Sequence, residues 1–404
     1  MLSQSDTHPQ WQPLHFLASL GAGGLVVTFF MYIMWMTPHA GQPIPSFSTL
    51  RDAFLQGDLL MQALIVLSVT GIAVFSVMHY WLLGWNIKRF SQWAPSEQAS
   101  AMRAGNAGSS IMAAPLTFAM AVNVGFIVGA VFVPGLWQVA EYLFPLALVA
   151  FGAIGVYALR IFGRFMTDRL VEGGFDCAKN NSLAQMLSVF AFAMVGVGFS
   201  AGAAMSQNQI TSIVGFAGAS LFITTAILFG ALFFVMGMRS MFENKANPET
   251  VPTLWVVIPF VTVVGIALYR MNMALEHNFG VEWEAGSRFF FLITLFSIQL
   301  IMAFVGYGVI RRTRYFATYV YGPEKSAGAF ALICPGVALF VFANFVINPG
   351  LVGLGVLAKF SLAYFALYAP LVALQLFTII VFLKLTTKLI SGNQAPQATL
   401  SAAE

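Results

Sequence analysis

Charge is what this chain has least of. Lys, Arg, Asp and Glu make up 8% of its 404 residues, where a soluble domain carries about 25%. With 59% hydrophobic residues and a mean hydropathy of +0.82, the chain holds more apolar surface than any water-soluble fold could bury. Cysteine is nearly absent. Cys177 and Cys334 give neither a disulfide framework nor a metal-ligand spacing, so reduced thiols are expected and a metal site is not. Strand-like alternation of polar and apolar residues is missing, which argues against an outer-membrane barrel. Met1–Pro13 contains no Lys or Arg, so it lacks the basic start of a secretory signal, and the first hydrophobic stretch reads as an uncleaved span. Basic residues are scattered over five connections and the C-terminal tail, which argues against a nucleic-acid partner.

What the chain does have is ten hydrophobic stretches, at roughly 14–37, 59–84, 111–133, 138–159, 183–205, 210–237, 252–271, 289–310, 327–347 and 360–383. Each approaches the ~20 residues needed to cross a bilayer core. Backbone groups in lipid must be bonded internally, so these are helices. Numbering the gaps and grouping the termini with the even ones puts only Arg51, Arg270, Arg288 and Lys359 on one side. The other 15 of the 19 Lys and Arg lie opposite. This positive-inside bias predicts an all-α polytopic membrane protein with both termini in the cytoplasm. The expected divisions are a cytoplasmic tail at 1–13, a ten-span transport domain at 14–390 and a disordered cytoplasmic tail at 391–404.

Gap lengths predict five helical hairpins. Pro134–Trp137, Gln207–Gln209 and Asn348–Gly350 are short turns, whereas 86–110 and 160–182 are long and polar. All five odd-numbered spans carry interior Gly or Pro: Gly21, Gly23 and Gly24 in the first, Pro115 in the third, Gly196 and Gly198 in the fifth, Pro259 in the seventh, Pro335 in the ninth. Small residues let helices approach closely, and Pro bends them. Ordinary packing explains any single one. Taken together, they predict that the odd spans line a common centre and the even spans face lipid.

Residues His15–Leu25, in particular Phe16 followed by Gly21, Gly23, Gly24 and Leu25, resemble the opening span of the TehA/slow-type anion channel family, also called the tellurite-resistance/dicarboxylate transporter family. Pro252-Thr253-Leu254-Trp255 resembles the start of that family's seventh span, and Gly328–Pro335 its ninth. The resemblance spans roughly residues 14–390 and points to a divergent branch, of the TsoY type. It implies five hairpins in a ring around a central pore, a trimer with one pore per subunit, a bacterial inner (plasma) membrane, and a Phe on the ninth helix that plugs the pore. Aligned on Pro335, this chain has Cys334 at the plug position, with Phe330 one turn earlier on the same face. That departure puts the plug mechanism, and simple channel function with it, in question.

The span interiors read as free of ionisable side chains, with Glu141 and Arg160 near the ends of span four and Lys359 at the start of span ten. A buried carboxylate relay and a charged binding site are therefore not expected, and a neutral pore passing a small anion or weak acid is. Buried polar residues within spans are few, and Asn123, Gln299 and Asn344 stand out. Their ordinary role is hydrogen bonding between helices, but Asn123 and Asn344 lie on odd spans and could also face a pore. A bis-His haem needs two imidazoles at similar depth. His15 and His79 fall near span ends, with His39 and His277 outside, so no cofactor is expected. Cys334 reads either as a small buried hydrophobe or as a thiol at the pore midpoint. The expected function is non-enzymatic: a channel or transporter for a small anion or weak acid. Its expected lining or gating residues are Phe16, Phe118, Asn123, Phe192, Pro259, Phe330, Cys334 and Asn344. The alternatives are an ion-coupled exporter of a small oxyanion or organic acid, and a membrane redox protein using Cys334.

Overall fold

A computed structural model describes residues 11–391, so most of the expected N-terminal tail and nearly all of the C-terminal one lie outside the described residues. The described residues form helices and turns, with no strand among them. Ten helices are long and apolar enough to cross a membrane: span one, Pro13–Met36; two, Leu59–Trp93; three, Asn106–Phe132; four, Leu136–Val171; five, Met186–Met205; six, Gln209–Asn244; seven, Pro248–Phe279; eight, Ala285–Arg312; nine, Ala327–Val352; ten, Leu362–Ile390. The protein is a polytopic membrane protein.

Odd and even spans differ in burial as the glycine pattern predicts. The most apolar stretch of each odd span is 61–94% buried, against 22–33% for the even ones. Each odd span packs against the even span that follows it. Odd spans also pack on one another, one against three, three against five, five against seven, seven against nine, and nine back against one. Close backbone approach makes some of this possible. A Cβ at Gly215 on span six would sit 2.7 Å from the Ala203 nitrogen and 2.9 Å from the Phe199 carbonyl of span five, so only glycine fits there.

The odd spans share a local design. Spans one, three, seven and nine open with a 3₁₀ segment before turning α-helical at Phe16, Ala113, Val257 and Ile333. Span five does the same in brief, with Met186, Leu187 and Ser188 donating to carbonyls three residues back. In spans three, seven and nine the third α-helical residue is proline: Pro115, Pro259 and Pro335. A residue without an N–H fits the point where bonding changes from i−3 to i−4.

Loops of the even gaps are tied to one another at one end of the molecule. Trp11 donates to Asn86, Asn106 brackets the backbone of Asp176, Asn181 donates to the Lys245 carbonyl, Ser326 donates to Glu249, and Lys388 donates to the Tyr319 carbonyl. At the opposite end Ser206 and the Gln207 N–H donate to Glu141, and Asn278 donates to the Ser206 carbonyl. The spans therefore alternate in direction, and both described termini lie at the first, basic end.

Several boundaries correct the sequence reading. Spans two, four and six run 35, 36 and 36 residues, far beyond the ~20 a bilayer core needs. Their overhanging ends carry Lys88, Arg89, Arg160, Arg164, Arg169 and Arg239 as helix, where long polar gaps were expected. Cations suit helix C-terminal ends. The Asn348-Pro349-Gly350 turn is instead a π-helical continuation of span nine, Val346–Val352, with all three residues buried. Span seven continues past its expected end at 271 to Phe279, which moves Arg270 from the end of the span to nine residues inside the helix.

Two cavities and the partition between them

Two cavities lie among the odd spans. The far cavity, about 190 Å³, is lined by residues of all five odd spans, by Ile44, and by Phe144, Ala147 and Phe151 of span four. The basic-end cavity, about 250 Å³, is lined by the opening segments of the same five spans and their preceding loops. Phe190, Pro259 and Cys334 line both. These three residues, from spans five, seven and nine, form the partition between the cavities.

The partition sits just inside the 3₁₀-to-α transition. Phe190 is the fifth α-helical residue of span five, Pro259 the third of span seven, and Cys334 the second of span nine. Phe190 is buried and Cys334 half-buried.

The basic-end cavity is rich in amides and hydroxyls, among them Gln12, Asn106, Asn180, Gln185, Asn247 and Thr253. Gln185 donates to the Asn106 carbonyl, while its Oε1 and the Ser188 Oγ are buried with no partner among the described residues. Lys179 is the one charged residue in the lining among the described residues, and it is 3.3 Å from Asp176. The Lys179 backbone N–H, with help from its ammonium, holds the Asp176 carboxyl below the usual carboxylate range.

The far cavity is mainly apolar, with one exception that corrects the expectation of a neutral interior. Arg270 reaches it from span seven, and its Nη1 donates to the Val197 carbonyl of span five at 3.2 Å. Val197 stands eight residues before the end of span five. At 1.5 Å rise per residue, the contact is about 12 Å in from that end. Among the described residues, no Asp or Glu lines either cavity.

The residues expected to line a path divide between two environments. Asn123, Pro259 and Cys334 do face the cavities. Asn123 donates to the Ala119 carbonyl and lies 3.7 Å from the Met194 sulfur. Phe16, Phe118, Phe192, Phe330 and Asn344 line neither cavity. Phe16 packs on Trp11, Phe90 and Phe118, and Phe118 also on Tyr157. Phe192 packs on Phe162 and Phe222 of the even spans. Phe330 is buried in the 3₁₀ opening of span nine. Asn344 is fully buried and accepts from the Tyr368 hydroxyl at 2.6 Å. Gln299 does not make the interhelical hydrogen bond expected of it, since both of its amide atoms are buried with no partner among the described residues. His79, expected near a span end, is fully buried against the Ser19 carbonyl of span one.

Sequence reading missed Phe190 and Arg270. Phe190 lies two residues from Phe192, about 200° around the helix, and nothing in a uniformly apolar helix marks which of the two faces inward. Arg270 had a signal, an arginine in a helix that continues apolar beyond it through Met271, Met273 and Ala274. No protein-family model matches this chain, and no curated protein matches it.

Proposed function

We propose that this protein passes a small anion or weak acid across the membrane, along the axis of the five odd spans, and that the ten spans form a ring of five helical hairpins. The observation that carries the reading is the pair of cavities: both are lined by all five odd spans, and they abut at Phe190, Pro259 and Cys334. The closed series of contacts from span one through span nine and back supports the ring. Arg270 and Lys179 are the charged residues in the linings among the described residues. Lys179 is paired with Asp176, whereas Arg270 is in none of the ion pairs found among the described residues, which favours anions over cations in the far cavity. All five odd spans begin at the basic end, so their positive helix ends, about half a charge each, converge on that cavity. The positive-inside rule puts this end in the cytoplasm. The family resemblance of the opening span points the same way.

The test is flux. Purified protein in liposomes is loaded with chloride, nitrate, formate or acetate, and efflux down the gradient is compared with empty liposomes. Passage of at least one of these anions is expected. If none moves faster than through bare lipid, both for the natural protein and for Phe190→Ala, the reading fails.

A further inference from the structure

We propose that Arg270 is the anion-binding site of the far cavity, selective for small monovalent anions and resting on the transport reading above. The argument starts from charge balance. A cation inside a bilayer is costly and persists where something offsets it. The ion pairs among the described residues join Arg51 to Asp52, Lys179 to Asp176, Arg239 to Glu243 and Arg288 to Glu276, and Arg270 is in none of them. Its hydrogen bond to the Val197 carbonyl occupies one of the five N–H donors of a guanidinium. Arg270 lines a cavity that has no carboxylate in its lining among the described residues.

Helix direction supplies a second, independent reason for a cation here. The five odd spans run parallel from the basic end, so their negative ends lie on the far side of this cavity, roughly half a charge each. Unopposed, that field would repel an anion that had crossed the partition. Arg270 puts a positive charge where the helix field turns unfavourable. Helix ends therefore favour the anion at the basic end, and Arg270 does so at the far one. A single guanidinium in a cavity of about 190 Å³ matches one small monovalent charge. A divalent anion such as sulfate would retain an unbalanced charge in an apolar chamber. Binding needs only the donors that the Val197 carbonyl does not occupy, with no change of protonation.

The decisive experiment separates binding from flux. Thermal unfolding of the purified full chain in detergent is followed at constant ionic strength in nitrate, chloride, sulfate or gluconate. Nitrate and chloride are expected to raise the midpoint by about 2–4 °C over gluconate, and sulfate to leave it unchanged. Arg270→Gln should abolish the rise, and Arg270→Lys should retain part of it. Should Arg270→Gln fail to fold, the natural protein answers alone: an arginine-specific dicarbonyl should modify Arg270, read by mass spectrometry of the peptide, and nitrate should protect it where gluconate does not. Equal anion effects with and without the Arg270 guanidinium, or modification indifferent to nitrate, would overturn the site. Anion flux that survives Arg270→Gln undiminished would overturn it too, while leaving the transport reading intact. An Arg270-dependent midpoint shift without flux in the natural protein would do the reverse.

Discussion

Phe190 and Phe192 occupy one helix and differ by two positions, yet their surroundings assign them opposite work. Phe190 stands in the partition between the cavities, whereas Phe192 is wedged against Phe162 and Phe222 of the even spans. An apolar constriction impedes ions by excluding water. Phe190→Ala should therefore raise anion flux in liposomes roughly tenfold or more, which needs only about 1.4 kcal/mol off the barrier. Phe192→Ala removes a fully buried ring and should cost about 3–5 kcal/mol of stability, with no gain in flux per folded molecule. Equal flux through the two variants would remove Phe190 from the barrier. Cys334 offers a chemical check at the same depth. In a Cys177→Ser background, a small permeant thiol reagent should block flux, act faster once Phe190 is Ala, and have no effect after Cys334→Ser. This scale was the least legible in the sequence. Spans one, five and nine are apolar on every side, so they have no polar face by which inward positions could be told from outward ones. Asn123 and Asn344, both amides on odd spans, were equivalent in the sequence. Only the packing shows that one faces a cavity and the other meets Tyr368.

At the scale of elements, the polar contacts that join spans nine and ten show why the end of span nine was misread. Tyr368 donates to Asn344 at 2.6 Å, Asn348 donates to Tyr368 at 2.9 Å, and Tyr364 donates to Asn348 at 3.0 Å. A second set joins span one to span ten: Tyr32 donates to Gln375 at 2.7 Å, and Gln375 to Thr28 at 2.8 Å. Asn348-Pro349-Gly350 carries turn-forming residues, but the tyrosines of span ten satisfy Asn348 at depth and the backbone continues as π-helix around Pro349. Local turn chemistry lost to tertiary contacts that no short window reveals. Tyr368→Phe deletes one hydroxyl and leaves Asn344 Oδ1 buried without its donor. An average hydrogen bond between membrane helices is worth about 0.6 kcal/mol. Stranding a buried acceptor costs more, about 1–3 kcal/mol, so a lowered unfolding midpoint in detergent is expected. A Tyr368→Phe protein as stable as the natural one would mean that Asn344 finds another donor.

For the whole molecule, composition and charge bias were enough to read ten helices, their alternating direction and a shared end for the termini, because these follow from the solvation of backbone and charge rather than from side-chain fit. The structure sharpens the charge argument in two ways. Arg270, read as lying at the far end of span seven, leaves the count of far-end cations, and of the three that remain, Arg51 is 2.9 Å from Asp52 and Arg288 is 3.4 Å from Glu276. Lys359 alone is in none of the ion pairs found among the described residues. At the opposite end Lys88, Arg89, Arg160, Arg164, Arg311 and Arg312 stand on helix extensions and are in none of the ion pairs found among the described residues. Charge held on rigid helix, immediately beyond the apolar stretch, lies within the 15–20 residues over which the bias acts. The basic end is therefore expected in the cytoplasm, and Cys177, exposed in the loop between spans four and five, reports on it. A membrane-impermeant maleimide applied to intact cells should leave Cys177 unlabelled and should react with it in inside-out vesicles. Glu282→Cys in a Cys177→Ser background places a thiol at the exposed far end and should show the opposite pattern. Labelling of Cys177 from outside intact cells would invert the topology and, with it, the direction in which the helix ends and Arg270 favour an anion.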